Sequence, residues 1–343
     1  MSLPLLEALL AASEPLALCT VMQVKGSAPR HAGSWMLAGT GGLVGGSVGG
    51  GRGESLVLAA AREALADGKA RVLVVEMQGL EAEGPDMVCG GTSRVLVEPL
   101  AAKAAYAAAR DLLARGERVV VVRRAATGES AVVDAAGAWT PARLEGADET
   151  AAKRALEHGK PLLDEEAGVF YDPLLPPERL LVLGGGHVGR AVAAAAHAAG
   201  FAVTVADDRA EFLAPERYPA GVETRLGGYT DVVVAFPFDA ATYVVIVTRG
   251  HLADLESLRA VLKRSWRYAG LIGSRRKVRL LTEQVLADGA EPEKVAAVHA
   301  PIGLDIGAET PEELAVAIVG ELVAVRRGVP GAGISGRARR SAS

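Results

Sequence analysis

Apolar positions along the chain fall into short unbroken runs separated by alanine-rich segments of helical period. Residues 16–24 form a nearly continuous apolar run, which predicts a largely buried strand. Residues 34–38, 71–77 and 94–97 predict further strands, and 55–66 predicts a helix closed by Asp67-Gly68. A helix is expected over 101–115, ended by Gly116. Residues 118–123 and 130–134 then predict a hairpin around Thr127-Gly128. A helix over 148–158 is stopped by Gly159-Lys160-Pro161, and 169–171 reads as a short strand. The prolines of 172–177 mark a linker. The boundary is placed there, giving a first domain over 1–175 and a second over 176–343 with a flexible tail from residue 328.

The second half changes pattern. Strand 180–183 opens into Gly184-x-Gly186-x-x-Gly189, followed by an alanine-rich helix, then strand 201–205 and Asp207-Asp208-Arg209. Strand, glycine turn, helix, strand and acid come in the order of a dinucleotide-binding crossover. Gly184 would allow the tight turn, Gly186 the approach of a phosphate, and Gly189 the packing of helix on strand. Asp207 stands where a carboxylate could accept from a ribose hydroxyl. Buried strands 242–247 and 268–272 deliver 248–251 and 273–277 to their C-terminal ends, where ligands collect in open α/β sheets. The expected fold is α/β: a C-terminal Rossmann-like parallel sheet with helices on both faces, preceded by a separate smaller α/β domain. Thr310, Pro311 and Glu313 predict a capping box for the closing helix.

Composition narrows the function classes. Half of the residues are hydrophobic and the net charge is −4, which suits a folded protein and argues against bulk affinity for nucleic acid. No apolar run has the length of a membrane span, and the N-terminus lacks the charged region of a signal peptide, so a cytoplasmic protein is expected. Cys19 and Cys89 do not make a disulfide framework.

The candidate chemistry lies in the loops. Residues 39–53 contain nine glycines, enough to suggest either a set of tight turns or a backbone surface touched by a ligand. Gly49, Gly50 and Gly51 would line that surface, Arg30 would add positive charge, and Glu54 stands at the start of the following helix. Cys19 lies in an apolar strand and reads as an inert core thiol, whereas Cys89 sits before two glycines, where a thiol can be accessible. In the second half Gly184, Gly186, His187, Gly189, Asp207, Arg249, His251, Ser274, Arg275 and Arg276 are the candidate ligand contacts. Cations at the start of a helix, as Arg275, Arg276 and Lys277 are, oppose its dipole, so local stability does not account for them. His251 is the candidate acid or base. No compact metal-ligand spacing, G-x-S-x-G or Walker A pattern is present.

Several strings together resemble the xanthine dehydrogenase accessory factor family, of XdhC/CoxI type. They are Gly26-Ser27-Ala28-Pro29-Arg30, residues 48–54, Cys89-Gly90-Gly91 and Glu98-Pro99 in the first half. In the second they are Gly184-Gly185-Gly186-His187-Val188, Asp207-Asp208-Arg209, Thr248-Arg249-Gly250-His251 with Asp254, residues 270–277, and residues 301–307 with 310–313. The resemblance implies a cytoplasmic chaperone for molybdenum cofactor, as molybdopterin or its dinucleotide form. Such a chaperone presents the cofactor for sulfuration by a cysteine desulfurase and passes it to a molybdenum hydroxylase client. A homodimer is the expected assembly. Some relatives carry a cysteine where this chain has Arg52, which would leave Cys89 as the molybdenum contact. Two other readings stay open: an NAD(P)-dependent oxidoreductase with His251 as acid/base, and an interaction protein whose Rossmann domain has lost its ligand.

Overall fold

The computed structural model describes residues 3–76 and 91–329. It divides into two compact units, Met1–Pro176 and Pro177–Ser343.

The first unit is built from two antiparallel sheets. β1 (Leu16–Lys25), β2 (Trp35–Gly39), β3 (Gly42–Gly46), β4 (Arg71–Glu76) and β5 (Thr92–Pro99) form the first, in the order β3-β2-β1-β5-β4. Helix α1 (Leu3–Ala11) precedes them, and α2 (Gly51–Asp67) packs Val57, Ala60, Ala61 and Ala64 against Ala17, Cys19, Val21, Val95 and Val97 of this sheet. The second sheet follows α3 (Ala104–Ala114). It comprises β6 (Val119–Arg124), β7 (Ser130–Asp134), β8 (Trp139–Thr140), β9 (Leu162–Asp164) and β10 (Val169–Leu174), ordered β8-β7-β6-β10-β9. Helix α4 (Glu149–His158) covers one face of it.

Period-two alternation in β6 sorts its side chains. Val120 and Val122 face α4, while Val119 and Val121 join Leu16, Leu18, Trp35 and Leu37 in a core between the sheets. Arg123 is next on that inner face and is fully buried. Its Nη2 donates to Asp172 at 2.6 Å, Nη1 donates to Thr20, and its guanidinium lies 4.5 Å from the Trp35 ring centre.

That ion pair corrects the sequence reading of 172–177 as linker. Asp172 and Pro173 belong to β10, which stays paired with β6 through Leu174. β9 pairs only with Val169–Tyr171, so the second half of β10 is an edge, where a residue without an N–H is tolerated.

The second unit is the expected parallel sheet. β11 (Arg179–Leu183), β12 (Ala202–Asp207), β13 (Glu223–Leu226), β14 (Tyr243–Ile246) and β15 (Tyr268–Leu271) run in the order β13-β12-β11-β14-β15, with every adjacent pair parallel. α5 (His187–Ala198) packs on one face, together with the closing helix α10 of residues Pro311–Arg326. α6 (Tyr229–Ala235), α7 (His251–Leu262), α8 (Arg275–Ala287) and α9 (Pro292–Ala297), which precede α10, pack on the other. The order reverses between β11 and β14, the switch point at which such sheets open a crevice beyond their C-terminal strand ends.

Among the described residues, no helix is long and apolar enough to cross a membrane.

Candidate functional site

The three glycines of the turn after β11 do different work. At Gly184 (φ +111°) a Cβ would stand 2.5 Å from the Val247 carbonyl oxygen, and at Gly189 it would stand 1.8 Å from that of Gly184. Both are required by the packing of turn, strand and helix. Gly186 is the N-cap of α5, its backbone is extended, and a Cβ there would meet nothing within 4 Å. The backbone that faces open space is therefore the stretch where a helix N-terminus offers unpaired N–H groups to an anion.

Asp207 ends β12 beside this turn and is fully buried. Its Oδ2 accepts from Gly185 N at 2.8 Å and its Oδ1 from Arg209 N at 3.1 Å. Burial pushes this carboxyl up, but the hydrogen bonds from Arg209 and Gly185 outweigh burial and hold it below the ordinary value.

On the other side of the switch point, Thr248 donates its hydroxyl to the buried Asp254 at 2.6 Å, and the second oxygen of that carboxylate pairs with Lys277. The pair ties the segment after β14 to the helix after β15. Arg249 and His251 lie exposed at the start of α7, and Arg275 and Arg276 at the start of α8. Among the described residues Arg249, Arg275 and Arg276 take part in no ion pair. Ser274 serves as the N-cap of α8, its hydroxyl accepting from Lys277 N. His187, the first residue of α5, is exposed. The parallel sheet thus carries its candidate residues in the segments that follow the C-terminal ends of β11, β12, β14 and β15, with exposed cations after β14 and β15.

The His251 side chain makes no hydrogen bond among the described residues, whereas His299 is held by a network that sequence reading missed. Residues 299–302 run alongside β15, with His299 N donating to Ala269 O at 2.8 Å and Ile302 N to Leu271 O at 3.1 Å. His299 Nδ1 lies 2.9 Å from Oε1 of Glu321, a buried acid of α10. Oε2 of the same carboxylate accepts from Tyr268 Oη and from Gly303 N, each at 2.7 Å. Burial pushes Glu321 up, but the contacts from His299, Tyr268 and Gly303 prevail and hold it below its ordinary value. The signal was an acid on the apolar face of a helix, between Val319 and Leu322.

In the first unit the glycine-rich loop has a conformational explanation. Gly49, Gly50 and Gly51 have φ of +143°, +79° and +59°. At Gly50 and Gly51 a Cβ would meet nothing within 4 Å, so backbone angle and not crowding selects glycine there. Glu54 is more than a first-turn acid. Its Oε2 accepts from Ser47 Oγ at 2.7 Å, Gly50 N at 3.2 Å and Val48 N at 3.3 Å. The sequence strings do converge: a Cβ at Gly49 would lie 3.0 Å from Pro29 Cγ, and one at Gly91 would lie 2.2 Å from Ser27 O. Arg30 and Arg52 are exposed and form no ion pair among the described residues. Cys89 lies outside the described residues. Cys19 is buried, and burial followed by the charge of Glu98 pushes its thiol up to about 12. No cluster of metal-ligating side chains occurs among the described residues.

The second unit is thus a Rossmann-type domain with exposed arginines beyond the C-terminal ends of β14 and β15, following a domain of antiparallel sheets. The chain belongs to the XdhC/CoxI family: residues 180–322 match the XdhC Rossmann domain and residues 9–76 match the XdhC and CoxI family. It is 28% identical over 337 residues to a probable xanthine dehydrogenase subunit of Bacillus subtilis strain 168, covering 95% of this chain and 97% of that protein. It is 36% identical over 154 residues to the uncharacterized protein YqeB of Escherichia coli strain K12, covering 45% of this chain but only 28% of YqeB. A crystal structure of a xanthine dehydrogenase from Bacillus halodurans superposes with a TM-score of 0.83 at 26% identity, covering 96% of each chain.

Proposed function

We propose that this protein is an accessory factor of a molybdenum hydroxylase of the xanthine dehydrogenase kind. It binds molybdenum cofactor in the cytoplasm, presents it for sulfuration by a cysteine desulfurase and hands it to the client enzyme. Family membership and the relatives named for xanthine dehydrogenase support the accessory role. The observation that carries cofactor binding is Gly186, whose open backbone at the N-terminus of α5 suits the phosphate that molybdopterin carries.

The residues fit such a group in charge and access. The N–H groups at the start of α5 would hold the phosphate, and Arg249, Arg275 and Arg276 would neutralise it. When bound, the cofactor supplies the redox-active molybdenum that the client uses for hydroxylation. Within this chain the task is to bind, to keep the group oriented and to release it. Cys89 is the proposed soft contact for molybdenum, on the strength of the family resemblance.

Elemental and pterin analysis of the protein purified from a cofactor-producing host tests this reading. Stoichiometric molybdenum and pterin are expected, with a large loss in Gly186→Val and in Cys89→Ser. A protein that carries neither molybdenum nor pterin, and does not raise the activity of a co-expressed client, would refute it.

A further inference from the structure

We propose that Arg209 is a specificity-determining residue that closes the ribose position of the Rossmann unit. The unit then takes its ligand through a terminal phosphate and rejects ligands whose ribose must reach the end of β12. The inference rests on the reading of Gly186 as phosphate-facing, and it deepens that reading by naming the ligand class. A phosphomonoester such as monomeric molybdopterin is accepted, whereas NAD(P) and a pterin dinucleotide held by its nucleoside are not.

In a dinucleotide-binding crossover the acid at the end of the second strand accepts from a ribose hydroxyl. Asp207 occupies that position, at the end of β12. An ionised carboxylate is an acceptor with about four lone-pair directions. Here Oδ2 takes Gly185 N at 2.8 Å and Arg209 Nη2 at 3.3 Å, while Oδ1 takes Arg209 N at 3.1 Å and Arg209 Nε at 3.0 Å. These four contacts exhaust its capacity, and its surface is fully buried.

Arg209 is itself fixed. Its guanidinium lies 3.8 Å from the centre of the Phe212 ring, and its Nε is 3.5 Å from Asp208. The segment behind it is tied to the glycine turn. Arg217 Nη2 donates to Gly185 O at 3.2 Å, and Tyr218 Oη donates to Phe212 O at 2.7 Å. A Cβ at Gly185 would stand 2.9 Å from Tyr218 Oη and 3.0 Å from Phe212 O, so this cover sits directly on the turn. An arginine near this position can instead receive a 2′-phosphate. In this protein both Nε and Nη2 are committed to Asp207, which is internal.

Titration of the full-length protein with NADH, followed by fluorescence, and with ADP-ribose, followed by calorimetry, tests the proposal. The wild type is expected to show no saturable binding of either. Arg209→Ala, which frees Asp207, should gain saturable binding of both. Phe212→Ala removes the ring under Arg209, should act in the same direction, and serves as the second variant if Arg209→Ala unfolds. Two results overturn the proposal. Wild type that binds ADP-ribose and loses it in Arg209→Ala makes Arg209 a ligand contact. Failure of both folded variants to gain binding shows that Arg209 is not the determinant. Molybdenum and pterin content of the wild type is scored separately, so loss of the accessory-factor reading and loss of this one give different results.

Discussion

Trp35 donates its indole N–H to Asp172 at 2.6 Å, and both residues are buried between the two sheets of the first unit. The same carboxylate oxygen accepts from Arg123, so one acid holds a strand of the first sheet to a strand of the second. Removing one partner of a buried pair leaves the other charge unsatisfied, which costs about 3–5 kcal/mol. Asp172→Ala should therefore lower the stability of the first unit by about that amount, read as a lower denaturant midpoint. Trp35→Phe keeps the ion pair and should cost less.

The glycine turn after β11 predicts a contrast between neighbours. Gly189→Ala forces a methyl to within 1.8 Å of the Gly184 oxygen and should destabilise the second unit by about 3 kcal/mol, the upper end of overpacking costs. The Cβ of Gly186→Val meets open space, so its cost should be limited to about 1 kcal/mol, that of a poorer N-cap, and should lower the melting temperature less than Gly189→Ala does. Its effect should appear in binding, as at least a tenfold loss of affinity for a phosphate-bearing ligand, about 1.4 kcal/mol. Thermal melts and ligand titrations of the two variants separate packing from recognition.

Thiol chemistry should single out Cys19 by its inertness. With its thiol pushed up to about 12 and its side chain buried, it should resist iodoacetamide at pH 8 while the protein is folded and react once it is unfolded. Mass spectrometry of the alkylated peptides reads this directly. Rapid labelling of Cys19 in the native protein would contradict the packing of α2 on the first sheet.

Glu321 sets an acid limit on the second unit. Its folded-state pKa is depressed, so the stability it contributes is fully present above the ordinary glutamate value of 4.5 and is lost as pH falls through the lower folded value. Hydrogen exchange at Gly303 N, which donates to this carboxylate, should accelerate in that acid window. Glu321→Gln should flatten the pH dependence and loosen the segment that carries His299.

Much of this architecture could be read from the chain because local signals agreed with one another. The capping box at Thr310 is present, with Glu313 accepting from Thr310 N, and the parallel strands lie where apolar runs placed them. Short elements against propensity were less legible. Residues 229–235 are rich in β-branched valine yet form α6, because Tyr229, Val232 and Val233 find core partners on one helical face. Polar residues whose partners are distant in sequence were also hidden. Glu321 meets His299 and Gly303 across 22 and 18 residues, and Arg123 meets Thr20 across 103, and no local pattern encodes such pairings. At the candidate site, glycine spacing marked the turn, but it did not divide packing glycines from the open one. That division depends on what lies opposite each Cα.

Glu54 has a consequence for the loop it closes. Its carboxylate already rests on the N–H groups of Val48 and Gly50, at the start of α2. Any external anion drawn to that cradle competes with a resident one tethered four residues away, at an effective concentration on the order of millimolar. The affinity of the loop for a guest is then a difference between two anions, not the full strength of either. Ionic strength weakens both contacts together, so occupancy there should respond less to salt than it would at an empty basic cleft.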